Sequence, residues 1–193
     1  MNPSLSASAC LWAALQLAQG EGRIREKFTL PGYSQGGVVV DGIAYFTADD
    51  AVPTGFPSVA AFDAQSGKAI RAYAFENTYD SSPLVLRNQA GRSLVLAHEW
   101  IYQRTRALHQ DDGTLAWTSP ENQPGSYFSG YSYYASRDKT LLVLTESDNG
   151  LHANSLEDGN EAWWVPRDGG RTPAVDQEAG WTYYQSTGRL DKI

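Results

Sequence analysis

Short apolar runs alternate with polar turns along most of the chain, and this pattern predicts β-strands. The runs are rich in β-branched and aromatic residues, are bounded by Gly, Asp, Asn or Ser, and are too short for ordinary helices. They lie at 38–40, 43–46, 94–96, 141–144 and 181–184. Asp41 and Gly42 separate the first two runs, and this pair is typical of a two-residue hairpin turn.

Three segments of the chain repeat at a fixed period of 46 residues. Each segment has an alanine first, a glycine seventh and an arginine or tryptophan eleventh. The three sets are Ala61, Gly67 and Arg71; Ala107, Gly113 and Trp117; and Ala153, Gly159 and Trp163. A period of roughly 40 to 50 residues is typical of repeat proteins, in which units stack because one unit cannot bury its own apolar face.

Further strands are predicted after the three repeated glycines, at 69–75, 114–118 and 161–165. Each repeat therefore has the order strand, strand, strand, tight turn, strand, which predicts the four-stranded blade of a β-propeller. The predicted fold class is all-β, with antiparallel four-stranded blades: about three full blades and a partial fourth. The propeller segment is predicted at 23–193, with blades at approximately 33–76, 77–122, 123–166 and 167–193.

The repeated segments resemble the tryptophan-docking motif of the pyrroloquinoline-quinone (PQQ) propeller family, Ala-x-Asp-x-x-Thr-Gly-Lys-x-x-Trp. The second and third copies have His109 and Ser155 at the aspartate position. The first copy has Arg71 in place of tryptophan but keeps Ala61, Asp63, Ser66, Gly67 and Lys68.

We expect each docking tryptophan to lie back across its own turn and to pack on the alanine of the same copy. The predicted roles of these residues are structural, and we expect Trp163→Ala to lower the free energy of unfolding by about 3–5 kcal/mol. The predicted docking residues are Ala61, Gly67, Ala107, Gly113, Trp117, Ala153, Gly159 and Trp163.

The number of blades is a separate question. Resemblance to the PQQ propellers implies about eight blades, about twice the number predicted here. We therefore expect either a truncated propeller or a ring that closes by pairing with another chain, for instance in a homodimer. A self-sufficient four-blade ring is the alternative.

Composition excludes some partners and chemistry. There are 15 Lys and Arg against 22 Asp and Glu, for a net charge of −7, so a nucleic-acid-binding surface is not expected. Cys10 is the only cysteine, which rules out an intrachain disulfide and a CxxC metal or redox site.

The first 22 residues differ in composition from the blades. An apolar run at 9–18 is followed by small residues at 18–20, which suits a signal peptide, although no Lys or Arg precedes the run. The alternative is an N-terminal amphipathic helix. The run is too short to span a membrane. We expect a periplasmic or secreted protein, and otherwise a cytoplasmic one.

The sequence nominates no catalytic, cofactor-binding or metal-binding residue. The PQQ propeller family includes PQQ-dependent alcohol dehydrogenases. For such an enzyme, the resemblance implies PQQ and calcium on the ring axis, beside a catalytic aspartate and a vicinal disulfide. A chain with one cysteine cannot form that disulfide. Motifs of hydrolases, nucleotide-binding loops and zinc proteases are absent. The candidate calcium ligands follow no recognisable motif: Asp80, Glu99, Glu146 and Asn149.

One weak candidate site remains at the predicted rim of a blade. His98 and Glu99 follow a central strand, at a position where propellers commonly bind ligands. His109 and His152 lie in or beside the repeated segments. The acidic pairs at 49–50, 111–112 and 157–158 are interpreted as turn residues and not as paired catalytic carboxylates.

The functional hypothesis is a non-catalytic PQQ-like propeller that acts as a binding or scaffold module, with a protein or a second propeller half as partner. One alternative is a fragment of a PQQ- and calcium-dependent quinoprotein dehydrogenase. Another is a carbohydrate-binding propeller, suggested by a run of aromatic residues. That run consists of Tyr127, Phe128, Tyr131, Tyr133 and Tyr134.

Overall fold

The computed structural model describes residues 33–49, 59–75, 78, 82–99, 102–120, 131–135, 140–147, 150–166, 173–186 and 188–193. Within these ranges the regular structure consists of fifteen β-strands, without a helix. The predicted all-β class is therefore confirmed. The predicted signal peptide or N-terminal helix at 1–22 lies outside the described residues.

The strands form four antiparallel sheets, each of which follows chain order. Sheet 1 contains β1 (Tyr33–Val40), β2 (Ile43–Asp49), β3 (Val59–Asp63) and β4 (Ala69–Tyr73). Sheet 2 contains β5 (Leu84–Arg87), β6 (Ser93–Glu99), β7 (Arg104–His109) and β8 (Leu115–Thr118). Sheet 3 contains β9 (Tyr131–Ala135), β10 (Leu141–Ser147), β11 (Gly150–Ser155) and β12 (Glu161–Pro166). Sheet 4 contains β13 (Ala174–Asp176), β14 (Trp181–Ser186) and β15 (Arg189–Lys192).

The first hairpin has the predicted two-residue turn. Val40 and Ile43 are paired across it, and Asp41 and Gly42 have φ angles of 50° and 76°. Positive φ at both central residues is the requirement of a type I′ turn, which matches the right-handed twist of the flanking strands.

The three repeated glycines form the same turn in three sheets. Gly67, Gly113 and Gly159 have φ angles of 68°, 75° and 74°. In each turn the glycine N–H donates to the carbonyl oxygen four residues earlier, at 2.8 Å. Glycine adopts this left-handed backbone conformation without the steric cost that a Cβ atom brings. Each turn joins the third strand of its sheet to the fourth.

The sheets pack face to face in chain order, and each joint between neighbours contains its own buried cluster. The first joint buries Tyr45, Val59 and Tyr73 of sheet 1 with Val95 and Leu108 of sheet 2. The second buries Leu94, Leu96 and Trp117 of sheet 2 with Val143 and Leu156 of sheet 3. The third buries Leu142, Leu144 and Leu151 of sheet 3 with Tyr184 of sheet 4. Stacked four-stranded sheets that share faces in this way form the blades of a propeller.

Candidate functional site

The docking motif has a common register in the three four-stranded sheets. Ala61 pairs with Arg71, Ala107 with Trp117, and Ala153 with Trp163. In every case the register shifts directly after the alanine, because the fourth strand carries one extra residue, a β-bulge, just before its arginine or tryptophan. A bulge re-aims the side chains of its strand, and the eleventh residue of each copy lies beside this irregularity.

Trp117 joins sheet 2 to sheet 3. Its indole Nε1–H donates to the carbonyl oxygen of Leu156 at 2.7 Å, and the side chain is 5% exposed. A Cβ atom at Gly159 would lie 2.4 Å from Cε3 of the ring, so the indole lies against the turn of sheet 3. The ring shares a cluster with Ala107, but the expectation that it lies across its own turn was wrong, since the turn beneath it belongs to the next sheet.

Arg71 occupies the tryptophan position of the first copy and contacts the next sheet in the same direction. Its Nη1 donates to the carbonyl oxygen of Asp112 and its Nη2 to that of Asp111, each at 2.8 Å. The guanidinium therefore lies on the turn of sheet 2 that contains Gly113. Two charge-assisted hydrogen bonds replace the buried aromatic surface of the tryptophan.

A second polar contact reinforces this first joint. The hydroxyl of Tyr73 donates to the carbonyl oxygen of Gln110 at 2.8 Å, and the Gln110 amide donates to the hydroxyl oxygen of Tyr45. Burial raises the pKa of Tyr73 to about 12, so its hydroxyl stays protonated and able to donate at neutral pH. No sequence motif marks these residues, because the contacts join two different sheets.

Trp163, in the third copy, is less enclosed than Trp117. It is only partly buried, and it packs against the cluster that contains Ala153 and Tyr184. Val175 and Ile193 lie against the same cluster. The residue therefore also faces the sheet that follows its own.

The candidate rim residues His98 and Glu99 are both buried, but they lie on opposite faces of β6, because successive side chains of a strand alternate. His98 Nδ1 lies 3.4 Å from Thr105 Oγ1. Burial, with a smaller contribution from nearby His152, lowers the pKa of His98 from 6.5 to about 4. The imidazole is therefore neutral at pH 7.

Glu99 is held by two arginines of the adjacent strand. Its Oε2 accepts from Arg104 Nε, and its Oε1 from Arg106 Nη1, each at 2.8 Å. The Glu99 side chain is fully buried, and an arginine pair of this kind compensates the cost of burying a carboxylate. Arg106 also donates to the carbonyl oxygen of Ala74, so the ion pair reaches from sheet 2 to sheet 1.

His152 has its own partners on β12. Its Nδ1 lies 2.6 Å from Glu161 Oε2, and its ring stacks on Trp164 at 5.9 Å between centroids. The remaining histidine, His109, lies at the end of β7, where its N–H and carbonyl both bond within the turn of sheet 2. The structure thus places the three histidines in different contacts.

The acidic pairs at 111–112 and 157–158 lie in turns, as predicted, whereas Asp49 of the third pair belongs to strand β2 and residue 50 lies outside the described residues. Asp112 Oδ1 accepts hydrogen bonds from both the amide and the hydroxyl of Thr114, which lower the pKa of the carboxyl group. Hydrogen bonds from Ser66 to Asp63 have the same effect on its pKa. These carboxylates cap their own turns.

No group of three potential metal ligands converges in the part of the chain that the structure describes. Among the candidate calcium ligands, Glu99 and Glu146 lie in different sheets, and Asp80 and Asn149 lie outside the described residues. In the aromatic run, Tyr131, Tyr133 and Tyr134 form part of β9, whereas residues 127 and 128 lie outside.

Antiparallel sheets of four or three strands that stack in chain order, the first two docked on the turn of the sheet that follows, define a β-propeller of the PQQ-like class. The chain belongs to the family described as outer membrane protein assembly factor BamB, whose sequence model matches residues 9–180. A search of curated proteins finds no match. In the described residues, no helix has the length and hydropathy required to cross a membrane.

Two solved structures share the fold. BamB from Moraxella catarrhalis superposes with a TM-score of 0.58 and 16% identity, over 89% of this chain and 53% of that chain. The present chain therefore spans about half the length of that protein. The computationally designed Ika4 protein superposes with a TM-score of 0.61 and 8% identity, over 86% of this chain and 92% of that chain.

Proposed function

We propose that the chain is a non-catalytic propeller module that binds protein partners. The observation that carries this proposal is that the polar side chains at the joints between sheets have structural partners. Glu99 is neutralised by Arg104 and Arg106, and Arg71 and Trp117 are bonded to backbone carbonyls of neighbouring sheets. These groups hold blades together, and the proposal assigns no cofactor and no catalytic residue to the chain.

Apolar exposure supports a binding role. The exposed fractions of Val39, Trp181 and Leu190 are 62%, 38% and 69%. Contiguous apolar patches are typical of surfaces that meet another protein, and Trp181 and Leu190 lie on the same face of sheet 4. The family description, which names an assembly factor, is in keeping with this role.

We also propose that the protein acts outside the cytoplasm. The apolar run at 9–18 with small residues after it suits export, and the family description refers to outer-membrane proteins. N-terminal sequencing of the protein recovered from a periplasmic fraction tests this point. Recovery of the uncleaved chain from the cytoplasm alone would contradict it.

The binding role is tested with the full-length chain in two parallel assays. In the first assay, we expect the chain to capture a protein partner stoichiometrically after cross-linking. A Leu115→Glu variant should retain that partner, because Leu115 lies on β8, away from the terminal faces. We also expect no saturable change in the PQQ spectrum with calcium, and no oxidation of alcohols or sugars with an artificial electron acceptor. Turnover in the second assay without a partner in the first would overturn the proposal.

A further inference from the structure

Each inner joint unites two unlike sheet faces. We call the face toward the next sheet in the chain the forward face, and the opposite one the back face. On the forward face of sheet 3, Leu142 and Leu151 are 4% and 0% exposed, because sheet 4 covers them. On the back face of sheet 2, Val85 is 8% exposed, because sheet 1 covers it.

The forward face of sheet 4 has apolar residues at the same positions. Leu190 pairs with Gln185 next to the hairpin turn, as Leu151 pairs with Glu146 in sheet 3. Leu190 is nevertheless 69% exposed. Trp181 corresponds to Leu142 by its distance from the same turn, and its ring is covered only by the Lys192 ammonium, 4.0 Å from its centroid, among the described contacts.

The back face of sheet 1 is open at Val39, although Ala44 on the same face is 8% exposed. Val39 pairs with Ala44, as Val85 pairs with Val95 in sheet 2. Val39 is 62% exposed, whereas Val85 is 8% exposed. Phe46 and Phe62 meet edge to face on the same side as Ala44, with centroids 6.4 Å apart, and extend this apolar face.

We propose that a second copy of the chain covers both faces. The forward face of sheet 4 in one copy packs on the back face of sheet 1 in the other, and the reciprocal contact completes a ring of eight sheets. This inference rests on the proposed binding role and names its partner. A two-fold axis relates the two joints, so the ring closes without a leftover face.

Two observations favour a second copy over an unrelated protein. The inner joints always pair a forward face with a back face, and a second copy offers one of each. The chain also superposes on 53% of Moraxella BamB, so that a propeller of that size has room for about twice the sheets of this chain.

The test is the mass of the full 193-residue protein, measured by size-exclusion chromatography with light scattering over a range of concentrations. We expect twice the 21.1 kDa mass of one chain. Val39→Glu and Leu190→Glu should each raise the dimer dissociation constant by at least about a hundredfold, because an unpaired carboxylate in a buried joint is strongly unfavourable. Leu115→Glu is the matched control, since Leu115 is 53% exposed on β8 and lies on neither terminal face.

A mixture of the two variants separates this arrangement from other dimers. One of the two joints in a mixed dimer pairs unmodified faces, so mixing Val39→Glu with Leu190→Glu should restore dimers that neither variant forms alone. Circular dichroism establishes whether each variant is folded. If a glutamate variant does not fold, Val39→Ser or Leu190→Ser replaces it in the same experiment.

Two results would overturn the inference. One is a wild-type monomer at every concentration; a monomer that still captures a different protein partner would leave the proposed binding role intact. The other is a dimer that Leu190→Glu disrupts and Val39→Glu does not, since the face of sheet 4 would then pair with itself.

Discussion

The first and second joints between sheets perform the same task with different chemistry. At the second joint, Trp117 buries an indole against Gly159 and donates one hydrogen bond to Leu156. At the first joint, Arg71 remains exposed and donates two hydrogen bonds to the carbonyls of Asp111 and Asp112. At these two joints, therefore, a charged side chain and a buried aromatic ring are alternative ways to donate to the turn of the next sheet.

The largest expected effect is at the second joint. Trp117→Ala removes a buried aromatic side chain and its hydrogen bond, so we expect the free energy of unfolding to fall by about 3–5 kcal/mol. Urea denaturation followed by circular dichroism measures this loss. A loss below about 1 kcal/mol would mean that the indole contributes little to the joint.

The glycine beneath the ring offers a second test. Gly159→Ala places a Cβ atom 2.4 Å from the indole, at a residue whose φ is +74°. We expect a loss of about 2–4 kcal/mol, from the left-handed backbone together with overpacking. Gly180→Ala is the matched control: φ there is +69° and the added Cβ meets nothing within 4 Å. Equal losses in the two variants would show that the contact with the indole is loose.

The second joint should also be the acid-sensitive one. His98 lies at this joint, two residues after Leu96, which pairs with Ala107. At the first joint the corresponding residue is Thr47, two residues after Tyr45, which pairs with Ala61. Because the pKa of His98 is lowered to about 4, the unfolded chain takes up a proton near pH 6.5 that the folded chain does not. The free energy of unfolding therefore decreases as the pH falls from about 6.5 to about 4. The decrease that is due to His98 is about 2 kcal/mol at pH 5.

A His98→Gln variant isolates this contribution. Urea denaturation at several pH values between 7.5 and 5 should show a shallower decline for the variant than for the wild type. The turn carboxylates, including Asp112, have lowered pKa values and contribute equally in both proteins. Identical pH profiles would contradict the assignment to His98.

The smallest expected effect is at the first joint. Arg71 is exposed, so Arg71→Ala should cost only about 1 kcal/mol through the loss of its two hydrogen bonds. Arg87→Ala is the control, because among the described contacts Arg87 makes a long exposed ion pair with Asp41 at 3.9 Å, which is expected to contribute close to zero. Thermal denaturation of both variants measures the difference, and a loss for Arg71→Ala as large as that for Trp117→Ala would remove the distinction between the joints.

Local features of this fold could be predicted from the sequence. A tight turn that needs positive φ selects glycine at one position, whatever the rest of the fold does. Gly67, Gly113 and Gly159 could therefore be identified from their spacing alone. Strand alternation also places His98 and Glu99 on opposite faces.

The direction of docking could not be predicted in this way. Whether Trp117 lies on the turn of its own sheet or on that of the next depends on how sheets stack, which a single repeat does not encode. The role of Arg71 was hidden for the same reason, since its acceptors lie 40 and 41 residues further along the chain.

The most direct test of docking between sheets compares two identical substitutions, Trp117→Ala and Trp163→Ala, by urea denaturation. The sequence predicted a loss of about 3–5 kcal/mol for Trp163, but this side chain is only partly buried, and we now expect about 2 kcal/mol. We expect the loss for Trp117, whose ring lies on Gly159 and bonds to Leu156, to exceed that for Trp163 by at least about 1 kcal/mol. Equal losses, or a larger loss for Trp163, would contradict it.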